Sequence, residues 1–139
     1  MSHPFVPNPT LGRDALADGM RVDLARLLEA ADARADKAAG PKLEGFAADW
    51  YAQRGKHHAL ALEDELKNLR LRWPNQEITW RRSGVHEYLF RALGRGSSST
   101  SDIAGAIRNW IAAEEKAERA AASHKAHAAA DAEAGADAA

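Results

Sequence analysis

The sequence predicts an all-α fold, a small helical domain of about four helices with one short strand near residues 77–82 and an alanine-rich C-terminal tail. Apolar residues recur at helical spacing through most of the first half of the chain. Alanine, which has the highest helix propensity, makes up 32 of the 139 residues. Apolar and polar residues alternate clearly over 77–82, the pattern that favours a strand.

The same features divide the chain into three parts. Residues 1–10 contain three closely spaced prolines, which exclude a helix and predict an extended proline-rich arm. Residues 11–111 contain nearly all of the larger apolar side chains and are predicted to form a single helical domain. In residues 112–139, 15 of 28 residues are alanine and none is a larger apolar residue, so this part cannot build a core. We expect it to form a helical extension and then a flexible tail.

The first two helices are predicted by apolar stripes and by their stop signals. Residues 11–39 carry a stripe at spacings of three and four, and Gly40-Pro41 ends that helix. A second helix begins near Pro41 and ends before Pro74. The apolar stripe of the first helix consists of Leu16, Met20, Leu24, Leu27, Leu28 and Ala31.

Two further helices are predicted after the strand. Ser83 can cap a third helix, in which apolar residues up to Leu93 share one face. Residues 94–100, rich in glycine and serine, predict a flexible turn, and a fourth helix begins near Ser101. The third and fourth helices could form a helix-turn-helix pair, although any two packed amphipathic helices give the same pattern.

Charge is distributed unevenly, although the formal net charge is only -1. Residues 65–110 contain eight basic and four acidic side chains, together with tryptophans, and this basic segment is followed by an acidic C-terminal end. Such a segment indicates nucleic-acid binding, in which arginines contact phosphates; the simpler alternative is a solvated surface around a tryptophan core. The candidate phosphate-binding residues are Arg70, Arg72, Arg81, Arg82 and Arg108.

No pattern in the sequence indicates catalysis. The chain has no cysteine, which excludes disulfides, thiolate zinc sites and cysteine nucleophiles. His124 and His127 have a metal-ligand spacing but no evident third ligand. We therefore predict no enzymatic activity, no catalytic residue, no metal and no cofactor. The absence of a signal peptide and of a long apolar run predicts a cytoplasmic protein without a membrane partner.

Two functions remain open at this point. The first is a small accessory or regulatory protein that binds nucleic acid through the arginine-rich centre. The alternative is a protein-interaction or assembly adaptor of the kind found in phages and plasmids, which binds a second copy or another protein through the helix at 11–39 and has no affinity for nucleic acid. Thirteen arginines against six lysines, with abundant alanine, suggest a GC-rich bacterial or phage genome.

Overall fold

The structure, a computed structural model, describes residues 12–42, 45 and 47–137, and in these residues the fold is α+β. The predicted all-α fold with four helices is wrong, because part of the predicted helical region forms a three-stranded antiparallel sheet. The predicted arm at 1–10 lies outside the described residues. The elements are α1 (Arg13–Ala39), α2 (Ala47–Arg72), β1 (Ile78–Arg82), β2 (Tyr88–Ala92), β3 (Arg95–Ser99) and α3 (Ile103–Asp137).

Helices α1 and α2 form an antiparallel hairpin. The predicted apolar stripe of α1 is buried along its length, and α1 ends where Gly40 adopts a φ of +70°, a left-handed conformation that favours glycine. Asp23, fully buried on α1, accepts a hydrogen bond of 2.9 Å from the indole Nε1 of Trp73, just beyond the end of α2. Arg54 of α2 donates to Asp36 at the other end of α1. These contacts fix the register of the two helices.

Strands β2 and β3 occupy the region where a third helix and a flexible turn were predicted. Strand β1 lies within the predicted strand segment near 77–82, and it pairs antiparallel with β2. Strand β2 pairs antiparallel with β3, so the strand order is β1-β2-β3. Because residues 88–99 form two strands, the predicted helix-turn-helix pair does not exist.

Two features of the sequence prevented the prediction of β2 and β3. Leu89 and Leu93 have helical spacing, but the alternating Phe90 and Ala92 are the residues that the structure buries. The loop between β2 and β3 is the two-residue turn Leu93-Gly94, with φ values of +51° and +77°. Positive φ at both positions is typical of a type I′ hairpin turn, which usually carries Asn-Gly or Asp-Gly. Packing of Leu93 against the core offsets the unfavourable backbone conformation of a leucine there.

Helix α3 packs against one face of the sheet. It is capped by Asp102, whose Oδ1 accepts a 2.6 Å hydrogen bond from the Gly105 amide. The fully buried Trp110 donates its indole N–H to the Ala92 carbonyl at 3.2 Å and makes an edge-to-face contact with Phe90, the ring centroids being 6.2 Å apart. Beyond this packed section, α3 continues as a helix to Asp137.

Candidate nucleic-acid interface

The three strands present two different faces, because successive side chains alternate across a sheet. The inner face carries the buried Ile78, Phe90 and Ala92 and packs against α3. A shallow cavity of about 410 Å³ lies on the opposite side, and within the described part of the chain only strand residues line it. We call this second surface the outer face. Its residues are Thr79, Arg81, Leu89, Arg91, Gly96 and Ser98.

Two exposed arginines dominate the outer face. Arg81 on β1 is paired with Leu89, and Arg91 on β2 is paired with Thr79. The two arginines are therefore diagonal neighbours on one face, with Cα atoms about 7–8 Å apart. No carboxylate among residues 12–42, 45 and 47–137 forms an ion pair with either of them. The outer face therefore carries two positive charges that the described residues leave uncompensated.

Gly96 leaves space that the guanidinium of Arg91 occupies. A Cβ atom placed on Gly96 would be 3.6 Å from Nη1 of Arg91, so the guanidinium extends from β2 across β3. Any longer side chain at position 96 would compete with it for this space. The pairing of Arg91 with Gly96 therefore brings the guanidinium of Arg91 beside the third strand, whereas Arg81 belongs to the first strand.

Three of the five predicted phosphate-binding residues have structural partners, and two of these, Arg70 and Arg72, lie on α2. Arg70 donates to the Ile78 carbonyl at 3.0 Å and lies over the indole of Trp80, with its Cζ 4.2 Å from the ring centroid, which joins α2 to β1. Arg72 places Nη1 3.8 Å from Oδ1 of the buried Asp23. Both side chains serve the packing of α2.

The other three predicted residues do not share one surface. Arg82 donates to the carbonyls of Gly84 (2.9 Å) and Val85 (3.1 Å), and so stabilises the loop between β1 and β2. Arg108 is exposed on α3, beside a separate cleft between α2 and α3. Arg81 is therefore the one member of the predicted set on the outer face, where it is joined by Arg91.

Arg91 lies in the predicted basic segment but is not among the predicted phosphate-binding residues. The signal that could have found it is strand alternation: if 88–92 is a strand, Leu89 and Arg91 fall on one face and Tyr88, Phe90 and Ala92 on the other. Because residues 83–93 were predicted to be helical, this alternation was not applied to them.

A contrasting arginine pair lies on the other side of the sheet. Arg13 and Arg95 both donate to the carboxylate of Glu114, which is only 5% exposed; the Arg95 Nε–Oε1 distance is 2.8 Å. Hydrogen bonds from Arg13 lower the pKa of Glu114 more than any other contact, those from Arg95 lower it further, and burial opposes them. The same hydrogen bond raises the pKa of Arg13. These two cations share one buried carboxylate within the fold.

The cleft beside Arg108 has mixed charge. It measures about 450 Å³, and Asp32, Arg54, His58 and Glu63 are among its lining residues. Asp32 accepts from Arg54 at 3.3 Å and lies 3.2 Å from Nε2 of His58. Its acidic residues oppose a polyanion, so the outer face is the better candidate for nucleic acid.

Comparison with protein-family models, curated protein sequences and solved structures finds no match to this chain. Among the described helices, none is both long and apolar enough to cross a membrane.

Proposed function

We propose that the protein binds nucleic acid through the outer face of its sheet, with Arg81 and Arg91 providing the positive charge. The observation that carries this proposal is the pair of exposed guanidinium groups on adjacent strands, for which the described residues provide no carboxylate partner. Arginine is suited to this task because its planar guanidinium stays charged and can donate two parallel hydrogen bonds to a phosphate.

The surroundings of the two arginines support this proposal. Strand pairing on both sides of β2 fixes the backbone at Arg91, so little backbone conformational entropy is lost when a ligand binds. The hydroxyl groups of Thr79 and Ser98 lie at exposed positions of the same face and can donate to phosphate oxygens. Four arginines and one glutamate occur between residues 78 and 99, which gives the sheet a positive potential.

The burial of the apolar face of α1 disfavours the alternative function, a self-associating adaptor. Leu16, Met20, Leu24, Leu27 and Leu28, on which that alternative depends, are buried in the core of a single chain. Pairing with a second copy through this stripe would require the hairpin of α1 and α2 to open, which would expose a large apolar surface.

Salt titration of binding tests the proposal. Fluorescence anisotropy with labelled duplex and single-stranded oligonucleotides, starting at about 50 mM salt, gives the slope of log K against log salt concentration. We expect the double variant Arg81→Ala/Arg91→Ala to bind more weakly and to reduce the magnitude of this slope by about 2, since each arginine neutralises one phosphate.

The matched control is Arg34→Ala/Arg54→Ala, which removes the same charge from the helical hairpin. There, Arg34 is paired with Asp64 and Glu65, and Arg54 with Asp32 and Asp36. We expect this control to leave the slope nearly unchanged. Equal losses in the two double variants would show that net charge alone governs binding. No binding of the wild-type protein at low salt would refute the proposed function.

A further inference from the structure

The width of the sheet matches one particular nucleic-acid groove. Neighbouring strands are about 4.8 Å apart, so the backbones of β1 and β3 are separated by about 10 Å. The major groove of B-form DNA is about 12 Å wide and about 8.5 Å deep, and it admits an α-helix or a two-stranded β-ribbon, so two neighbouring strands of this sheet can enter it. No other element in the described part of the chain lines the cavity on the outer face, so this face is open to a groove.

The side chains of the outer face match the chemistry of that groove. A guanidinium can donate to the O6 and N7 acceptors of guanine, hydroxyl groups can pair with either kind of base edge, and an apolar side chain can contact the thymine methyl group. The outer face carries all three kinds of group, on Arg81 and Arg91, on Thr79 and Ser98, and on Leu89.

The same residues disfavour other nucleic acids. Proteins that bind single strands stack bases on exposed aromatic side chains, and none of the six outer-face positions is aromatic. Trp80 belongs to the inner side, where its indole N–H donates to Glu63 at 2.7 Å. Duplex RNA is A-form, and its deep, narrow major groove does not admit a sheet.

We propose that the ligand of the outer face is duplex DNA in the B form, and that the sheet inserts its outer face into the major groove. This inference rests on the proposed function and specifies its ligand. Gly96 is the positioning residue in this arrangement, because the space above it holds the guanidinium of Arg91.

The first test compares three probes of one base sequence: duplex DNA, single-stranded DNA and duplex RNA, at about 150 mM salt. We expect the wild-type protein to bind duplex DNA at least about tenfold more tightly than the other two. Equal or tighter binding of single-stranded DNA or of duplex RNA would overturn the inference and leave the proposed function intact. Failure to bind any of the three, even at low salt, would overturn both.

The second test locates the protein on the duplex. Dimethyl sulfate methylates guanine N7 in the major groove and adenine N3 in the minor groove. We expect bound protein to protect guanine N7 and to leave adenine N3 reactive. Protection of adenine N3, or of neither atom while binding persists, would show that the sheet does not occupy the major groove.

The third test is a variant that changes the shape of the outer face without changing its charge. Valine is well suited to a β-strand. In Gly96→Val, however, the methyl groups would occupy the space that holds the Arg91 guanidinium and would project further from the outer face. Insertion into a groove predicts at least about a fivefold loss of duplex affinity. Gly55→Val on α2, where no atom lies within 4 Å of an added Cβ, is the control and should bind as wild type. Unchanged affinity of a folded Gly96→Val protein would contradict the inference; urea unfolding checks that both variants fold.

Discussion

The two sides of the sheet use the same residue type in opposite electrostatic settings. On the side of α3, Arg13 and Arg95 converge on the buried carboxylate of Glu114. On the outer face, Arg81 and Arg91 are exposed to solvent, and no carboxylate in the described residues pairs with them. The first pair joins α1 and β3 to α3, whereas the second makes no contact that the fold requires.

This difference shows why the number of arginines in a segment does not define a binding site. A guanidinium beside a fixed carboxylate has its charge compensated, and moving it to a phosphate would leave the carboxylate unpaired. A guanidinium without such a partner can bind an anion at little cost. Substitutions behind the sheet should therefore change stability, and substitutions on the outer face should change binding.

The largest expected effect is on the packing between α3 and the sheet. Trp110→Ala removes a fully buried indole and its hydrogen bond to Ala92, which should lower the free energy of unfolding by about 3–5 kcal/mol. Urea denaturation followed by circular dichroism measures this loss. Leu89→Ala, on the half-exposed outer face, is the control and should cost less than about 1 kcal/mol. A small effect of Trp110→Ala would mean that α3 is not anchored to the inner face.

Removal of the buried carboxylate should have the next largest effect. Glu114→Gln loses the charge that holds Arg13 and Arg95, which should reduce stability by about 2 kcal/mol. The loss is smaller than for a fully buried triad, because both arginine side chains reach solvent. The neighbouring Glu115 is exposed, so Glu115→Gln is a matched control with little expected change. Equal urea midpoints for the two variants would remove the proposed structural role of Glu114.

Acidification should weaken the same contact gradually. The pKa of Glu114 in the folded protein lies below its ordinary value of 4.5, chiefly because of the hydrogen bond from Arg13. At a pH between the folded pKa and the ordinary pKa of the unfolded chain, Glu114 binds more protons in the unfolded chain than in the folded protein. The stabilisation from Glu114 is therefore complete above about pH 4.5 and is lost as the pH falls through the lower pKa of the folded protein. Urea midpoints measured between neutral and acidic pH should therefore fall less steeply in Glu114→Gln than in wild type. Parallel curves for the two proteins would contradict this assignment.

The helical hairpin could be predicted from the sequence because its signals are local. The stripe of α1 repeats over several turns, and Gly40 ends the helix with a backbone conformation that favours glycine. The short strand at Ile78–Arg82 was predicted for the same reason, since its alternation is visible within a few residues.

Strands β2 and β3 were missed because the deciding information is not local. The apolar residues of 85–93 satisfy a helical period and a strand period equally well, and the turn at Leu93-Gly94 lacks the usual asparagine or aspartate. What selects the strand is the burial of Phe90 against Trp110, a contact between residues far apart in the chain.

The site was predicted in part for a related reason. Arg81 was chosen from the sequence and lies on the outer face, but the partners of Arg70 and Arg72 were not visible before the chain was folded. Ile78 and Trp80 follow Arg70 only after a turn, and Asp23 lies on another helix. Composition locates a basic segment, whereas tertiary contacts decide which of its charges remain uncompensated.

The smallest expected effect provides the most direct test of the contrast between the two sides. Arg81→Ala should change the free energy of unfolding by less than about 0.5 kcal/mol, because the side chain is exposed and has no ion pair in the described structure. Arg95→Ala should cost about 1 kcal/mol, because it removes one of the two cations at Glu114. Anisotropy with nucleic acid should give the reverse order, with the larger loss of affinity for Arg81→Ala. If the same variant showed the larger loss of both unfolding free energy and affinity for nucleic acid, the division between structural and binding arginines would be wrong.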